Sequence, residues 1–450
     1  MWQVDRAPHA GTPDFERFLA TLNAEAGFFR TDAPITVARA PGRLDLMGGI
    51  ADYSGALVLE LPLGVATFAA VQPDPEPVLT LVSLEVGLDQ PQVTIPLSVL
   101  FPGGQALGYA QARALLNADP RASWAAYVAG VLVVLAHERG LLPQTGLRIL
   151  IDSAVPAGKG VSSSAAIEVA AMSAVLGVMS RGSGKSASIQ SLNPDPQPLA
   201  PREIAMLCQK VENLVVGAPC GVMDQMTSAL GEQGRLLALL CQPAEVQGSV
   251  ALPPELAVWG IDSGIRHAVS GADYGSVRVG AFMGRRMLLE REVFNHEEHK
   301  RSATHSYLVS VTPSLWEQQL RQHVPLEILG ADFLARYGAT GDDITTVDPA
   351  RIYAVRQPTA HPIYEHQRVQ LFRALLQAAT DNGHLLGELM FQSHASYSAC
   401  GLGSAGTDLL IELVRDQLGG GLYGAKITGG GSGGTVAVLG RSDAAAAVQR

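Results

Sequence analysis

The chain has 450 residues, 47% of them apolar, which permits a sizeable core and excludes a disordered chain. Only 16% are charged, against about 25% in an average domain, and glycine alone accounts for 48 residues. With 32 basic and 42 acidic residues the net charge is −10, which excludes a general binder of nucleic acid or anionic membrane. A polyanion could be held only by a local device, such as backbone N–H groups or a metal.

The pattern predicts a helix over Asp14–Ala26, then β-type runs at Ile35–Ala40, Leu57–Leu61, Ala66–Val71, Leu79–Val86 and Val93–Leu97. A helix fits Trp124–Arg139, a strand Leu147–Ile151, and helices Ser163–Met179 and Pro201–Val215. Between the last two, Ser180–Ala200 is rich in Ser, Gly, Pro and Gln and reads as a loop. A strand at Arg235–Cys241 precedes a polar stretch, Gln242–Pro254. The pattern then restarts with a strand at Leu256–Ile261, a helix over Tyr274–Val293, helices at His366–Thr380, His384–Ser396 and Gly406–Leu418, and two closing β-type runs, Gly421–Lys426 and Thr435–Leu439. Mixed rather than strictly alternating order predicts an α+β chain, with a domain boundary near residue 245.

Cys208, Cys220, Cys241 and Cys400 show no C-x-x-C spacing, so neither a zinc site nor a disulfide framework is expected. The opening MWQVDRAPHAG lacks the basic-then-apolar pattern of a secretory signal. The longest apolar run, near Trp124–Ala136, is shorter than the roughly 20 residues a bilayer requires. The expected location is the cytoplasm, with no membrane partner.

Three glycine-centred segments stand out. In Val37–Gly55 a strand leads into Pro41-Gly42, then Arg43, then Asp52 nine residues on; a tight turn would explain the glycines but not Arg43 and Asp52. In Val155–Ile167 a strand ends, Pro156-Ala-Gly158-Lys159-Gly160 follows, and Ser162, Ser163 and Ser164 open an Ala-rich helix. Backbone N–H groups and a helix N-terminus approached through glycine suit a phosphate, and a single helix cap would need only one serine. In Lys426–Thr435, five glycines in six residues join two β-type runs, where a hairpin needs one or two, so something must come close to this backbone. Gly429, Gly431 and Gly434 literally match G-x-G-x-x-G, but a strand-like Thr-Val-Ala-Val-Leu follows instead of a helix, which rejects a dinucleotide fingerprint. Gly184-Lys185-Ser186 lacks the first glycine of a P-loop. A fourth segment, Glu212 followed by Gly217–Gln225 with Gly221 and Asp224, supplies carboxylates. Together the four offer what phosphoryl transfer needs: a phosphate cradle, oxygen donors for Mg²⁺, a group to take or orient a hydroxyl proton, and a cation for the migrating phosphoryl.

These residues resemble the GHMP small-molecule kinase superfamily, and its galactokinase branch in particular. The likeness rests on APGRLDLMGGIADYSG, PAGKGVSSSAA, GAPCGVMDQ and KITGGGSGG, spread from residue 40 to 434. Longer stretches, including CQKVENLVVGAPCGVMDQMTSALGE and SYSACGLGSAGTD, resemble the L-arabinose kinases of that branch. The resemblance implies two α+β domains with ATP and sugar in a cleft between them. Residues 1–245 would be like ribosomal protein S5 domain 2, and 246–450 ferredoxin-like. It further implies Asp224 as the catalytic aspartate and Arg43 as its partner. Pro156, Gly158, Lys159, Gly160, Ser162, Ser163, Ser164, Gly430 and Gly431 would hold ATP, and Ser164 and Glu212 would contact Mg²⁺. Gly49, Ile50, Asp52, Gly221, Asp224 and Tyr274 would face the sugar.

Where galactokinases carry Glu-His after the glycine of the first motif, this chain has Gly49-Ile50. L-Arabinopyranose has the ring hydroxyl pattern of D-galactopyranose without the hydroxymethyl, so a pocket with no polar pair there fits the pentose. An unpaired buried polar group would cost about 1–3 kcal/mol. The expectation is therefore an ATP-dependent sugar 1-kinase making L-arabinose 1-phosphate, with Mg²⁺, no nucleic-acid partner, and an oligomeric state left open. The alternatives are a galactokinase and, from another class, a non-catalytic sugar sensor on the same fold.

Overall fold

The computed structural model describes Trp2 and residues 12–25, 27–181, 189–191, 199–265, 272–291, 307–378 and 381–449. The chain forms two compact units. The first comprises Met1–Gly42, Gly64–Pro156 and Ser163–Ala218; the second comprises Arg43–Leu63, Ala157–Ser162 and Pro219–Arg450. The units interleave along the sequence, whereas the expected halves meet once near residue 245. Both mix strands and helices, as an α+β fold requires.

In the first unit the later residues of strand Leu57–Asp74 pair antiparallel with Gly146–Ser153, with Thr67 opposite Ser153 and Asp74 opposite Gly146. Val78–Ser83 runs parallel to Gly146–Ser153 and antiparallel to Gln92–Pro96. Helix Ala125–Arg139 is apolar on all sides, and Val128, Val131, Leu132 and Leu135 are fully buried, the pattern of a helix enclosed by its own unit. Helix Ser163–Arg181 is long and apolar enough over 163–180 to cross a membrane, yet Ala165, Ala166, Val169 and Ala170 are buried. Helix Pro13–Ala24 sends Phe18 and Leu22 into a cluster with Phe29, Phe68 and Leu150; Phe18 stacks on Phe68 with centroids 4.6 Å apart. Most of the expected loop Ser180–Ala200 lies outside the described residues, but Ile189–Ser191 within it pairs antiparallel with Leu141–Pro143.

In the second unit Leu57–Glu60 pairs with strand Arg235–Leu240, which in turn pairs with Glu245–Ala251. A separate antiparallel sheet places Thr435–Arg441 between Leu256–Asp262 and Leu422–Ile427. Its long helices are Ala272–Leu289, Arg356–Gln377, Gly383–Ala399 and Ala405–Asp416. A core cluster joins Ile50, Tyr53, Phe282, Trp316, Phe333, Ile363 and Tyr397, and a second one joins Leu46, Leu59, Leu236, Phe372, Met390 and Leu439.

Two elements outrun their sequence signals. Leu57–Asp74 is one strand of 18 residues, although Pro62 and Gly64 split its apolar pattern in two. Helix Arg356–Gln377 starts ten residues before the expected His366, and Pro362 lies inside it.

Candidate active site

The second unit builds its polar centre on Arg43, in the strand Thr36–Met47. The Arg43 Nε and Nη2 donate to Asp224 Oδ1 at 3.0 and 2.7 Å, and Nη1 donates to the carbonyl of Gly160 at 2.7 Å. Its backbone N–H donates to the carbonyl of Val161, so main chain and side chain both fasten the 157–162 loop. Glu60 Oε2 stands 3.3 Å from Nε. Burial works against the charged guanidinium. The carboxylates of Asp224, Glu60 and Asp45 outweigh it and lift its pKa above the ordinary value.

Asp224 sits in the first turn of helix Met223–Leu230, where a negative charge complements the helix dipole. Its side chain is 21% exposed while that of Arg43 is buried, so the carboxylate is anchored from below and open from above.

Asp52 lies in the short turn Gly49–Ser54 and is buried; its Oδ1 accepts the N–H of Tyr53 at 2.6 Å. A Cβ at residue 221 would fall 1.7 Å from Asp52 Oδ2, so only glycine fits there. Burial first, and then the nearby charge of Asp224, pushes the Asp52 pKa up to about 7. Tyr274, at the start of helix Ala272–Leu289, meets Tyr53 edge to face at 6.1 Å; burial and Asp52 raise its phenol well above the usual value.

The structure places Gly49 and Ile50 differently from a simple pocket wall. Ile50 is 1% exposed, and its side chain belongs to the core cluster of Tyr53, Phe282 and Tyr397. Gly49 has φ +45°, and a Cβ there would lie 1.5 Å from the Tyr397 hydroxyl. Packing against Tyr397 is therefore reason enough for glycine at 49.

In the 157–162 segment Gly158, Gly160 and Ser162 all adopt positive φ, at 66°, 68° and 63°. Ser162 Oγ is buried with no hydrogen-bond partner. Lys159 is held by Asp262, with 2.8 Å between Nζ and Oδ2. The 429–434 segment approaches the same centre: a Cβ at Gly429 would come within 2.6 Å of the Gly160 carbonyl. Gly430 and Gly431 follow it in the connection between strands Leu422–Ile427 and Thr435–Arg441.

Pro156, Ser163, Ser164 and Glu212 belong to the first unit. Ser163 and Ser164 open helix Ser163–Arg181. Glu212 is buried in a π-helical turn, Val211–Val216, whose end is closed by the N–H groups of Gly217 and Ala218 on the Glu212 carbonyl. Among the described residues no group of three or more His, Cys, Asp or Glu could hold a metal.

Residue patterns alone pass over four buried groups of the second unit. Arg278 makes a two-pronged bond to Asp342, both distances 2.8 Å, donates to the carbonyl of Cys220, and lies 5.5 and 5.4 Å from the Tyr53 and Phe282 ring centres. Lys426 and Asp45 form a fully buried pair at 2.6 Å. Glu60 is fully buried, and burial followed by the charge of Asp45 raises its pKa well above the carboxylate range. Tyr397 bonds the backbone at Ile50 and Gly429. Glu60 carried a visible signal, a lone carboxylate in the apolar run LVLELPL.

Family models match at residues 126–232 (GHMP kinases N terminal domain), 26–73 (galactokinase galactose-binding signature) and 371–450 (GHMP kinases C terminal). The chain is 45% identical to an L-arabinokinase of Arabidopsis thaliana over 93% of its own length and 44% of that protein, so it spans less than half of that relative. It is 30% identical to a galactokinase of Chloroflexus aggregans over 94% of this chain and 88% of that one. The crystal structure of Lactococcus lactis galactokinase complexed with galactose shares the fold, with a TM-score of 0.71 at 21% identity, covering 96% of this chain and 92% of that one.

Proposed function

From the premise that the chain belongs to the galactokinase family of GHMP kinases, we propose that it is an ATP-dependent sugar 1-kinase that phosphorylates the anomeric hydroxyl of L-arabinose. The observation that carries the chemistry is the Arg43 fork on a single oxygen of Asp224, which leaves a partly exposed carboxylate for a hydroxyl to reach.

In this reading Asp224 takes or orients the anomeric proton as the oxygen attacks the γ-phosphoryl. Arg43 keeps Asp224 ionised and steadies charge on the migrating group. Asp52 and Tyr274 hold sugar hydroxyls. The loop Pro156–Ser164, through Gly158, Lys159, Gly160, Ser162 and Ser163, cradles the nucleotide phosphates, with Gly430 and Gly431 facing them. For Lys159 to join, it must exchange its partner Asp262 for a phosphate oxygen.

The donor set proposed for Mg²⁺ fits that ion: the Ser164 hydroxyl in the first turn of a helix, and the buried carboxylate of Glu212, are both hard oxygens. Such a site takes one or two protein ligands beside substrate phosphates. Mg²⁺ would neutralise charge on the β- and γ-phosphates.

The 45% identity to an L-arabinokinase supports L-arabinose. The match to a galactose-binding signature supports D-galactose as the second reading. Coupled ADP release measured with each sugar separates the two, and release with neither favours the non-catalytic sensor. Asp224→Asn is expected to abolish turnover while the chain still binds sugar; an active Asp224→Asn enzyme would refute the catalytic assignment.

A further inference from the structure

The Tyr397 hydroxyl is a single, fully buried group at the meeting point of two segments of the second unit. The N–H of Ile50 donates to it at 2.8 Å. The hydroxyl has one proton and two acceptors in reach, the carbonyl of Gly429 at 3.0 Å and Asp45 Oδ2 at 3.4 Å. Asp45 holds the same turn through Oδ1, which accepts the N–H of Gly49 at 3.0 Å. Lys426 clamps Asp45 Oδ2 at 2.6 Å and sits 5.2 Å from the Tyr397 ring centre. The Asp45 N–H donates to Thr428 Oγ1 at 2.7 Å, one residue before the glycine run.

The ring has no room to drift. It stands perpendicular to the His361 ring with centroids 5.2 Å apart, and its hydroxyl fills the place that a side chain at Gly49 would occupy. Burial and the neighbouring Asp45 raise the phenol well above its ordinary value, so it keeps its proton as a donor.

We infer that Tyr397 is a positioning residue that couples the two substrates, its one hydroxyl proton linking the Gly49–Ser54 turn, which carries Asp52, to the glycine run at Gly429–Gly434. The inference rests on the proposed reading of these segments as the sugar side and the nucleotide side. A nucleotide that pulls the Gly429 carbonyl toward or away from the phenol changes whether the proton serves Gly429 or Asp45. That choice shifts the phenol and Asp45, to which the Ile50 and Gly49 amides donate, and with them the turn on which Asp52 stands. The linkage is reciprocal, so the sugar must strengthen the nucleotide by the same factor. No bond is made or broken; only the acceptor of one hydrogen bond changes.

The test is calorimetric titration of the full chain with L-arabinose, and with D-galactose if L-arabinose gives no heat. Each titration is run alone and with saturating AMP-PNP and MgCl₂, and then in the reverse order. The expected wild-type result is a sugar Kd lowered at least about fivefold by AMP-PNP, and the same factor in reverse. In Tyr397→Phe the factor falls toward one, although each ligand still binds alone. A residue that only filled space would weaken both ligands and leave the factor intact. If wild type binds neither sugar nor AMP-PNP, the proposed function falls and this inference with it. If both bind with a factor of one, or if Tyr397→Phe keeps the wild-type factor, the functional reading stands and the role of Tyr397 is refuted. Should Tyr397→Phe fail to fold, 3,5-difluorotyrosine at 397 preserves ring and hydroxyl while making a stronger donor and weaker acceptor. The factor must then change, and an unchanged value refutes the inference.

Discussion

Replacing Arg43 by Met tests the charge centre directly. The guanidinium donates three hydrogen bonds, two to Asp224 and one to Gly160, and lies 3.3 Å from Glu60. A unit pair at about 3 Å and an effective dielectric near 20 interacts by about 5 kcal/mol, and removing one partner of a buried pair typically costs about 3–5 kcal/mol. Methionine fills much of the volume, so the loss should be electrostatic. Arg43 opposes the rise that burial and Asp45 impose on the Glu60 carboxyl, so without the cation that pKa moves further up. The uncompensated negative charge at the centre is greatest at high pH, so the deficit is largest there and fades as the pH falls and protonation removes the charge. The expected outcome is a deficit of about 3–5 kcal/mol in urea unfolding at pH 8 and a clearly smaller one at pH 5. ADP release should drop by about 10²-fold or more. Arg43→Lys restores a charge but not the fork, and should regain stability more than turnover. Equal deficits at the two pH values would refute the electrostatic account, and wild-type stability at pH 8 would refute the whole assignment of Arg43.

Asp52→Asn should gain on wild type with rising pH. The buried carboxyl has its pKa raised from 3.8 to about 7, so its ionisation destabilises the fold progressively between those values. The gain, read from urea unfolding between pH 4 and 8, should be absent near pH 4 and level off above 7 at no more than about 4 kcal/mol; a flat difference would show that Asp52 ionises as in water. Asp342→Asn breaks the buried fork to Arg278 and should cost about 3–5 kcal/mol at pH 7, whereas Arg278→Met with Asp342→Leu should recover much of it. Burial opposes the ionised Asp342, but the Arg278 bond outweighs it and holds the pKa below the ordinary value, so the wild-type contribution is present above the unfolded pKa and is lost as the pH falls below it. A double variant as unstable as the single one would refute the ion-pair explanation.

What was legible in the sequence follows from how local each device is. The loop at 157–162 and the glycine run at 429–434 are short backbone devices, and glycine and serine at fixed spacing announce them, whereas Pro41-Gly42, which reads as a turn, lies inside strand Thr36–Met47. Arg278 and Asp342 are 64 residues apart, and Asp45 and Lys426 are 381 apart, so no local pattern pairs them; the topology does. Strand Glu245–Ala251 escaped because its sequence EVQGSVA is polar and mostly exposed. Helix Arg356–Gln377 begins ten residues before its apolar signal: Pro358 sits in the first turn, where proline is tolerated, while Pro362 lies farther inside. Gly49 is the instructive case. By composition, a missing polar side chain beside a sugar argues for a smaller, drier pocket. In three dimensions the Tyr397 hydroxyl already stands where a side chain at 49 would begin, and the positive φ disfavours any L-residue there. The glycine is thus sufficiently explained by packing, and its value as a marker of sugar choice depends on Tyr397. A polar residue introduced at 49 alone disturbs the Ile50 and Gly429 bonds of Tyr397 before it can probe selectivity, so positions 49 and 397 have to be changed together.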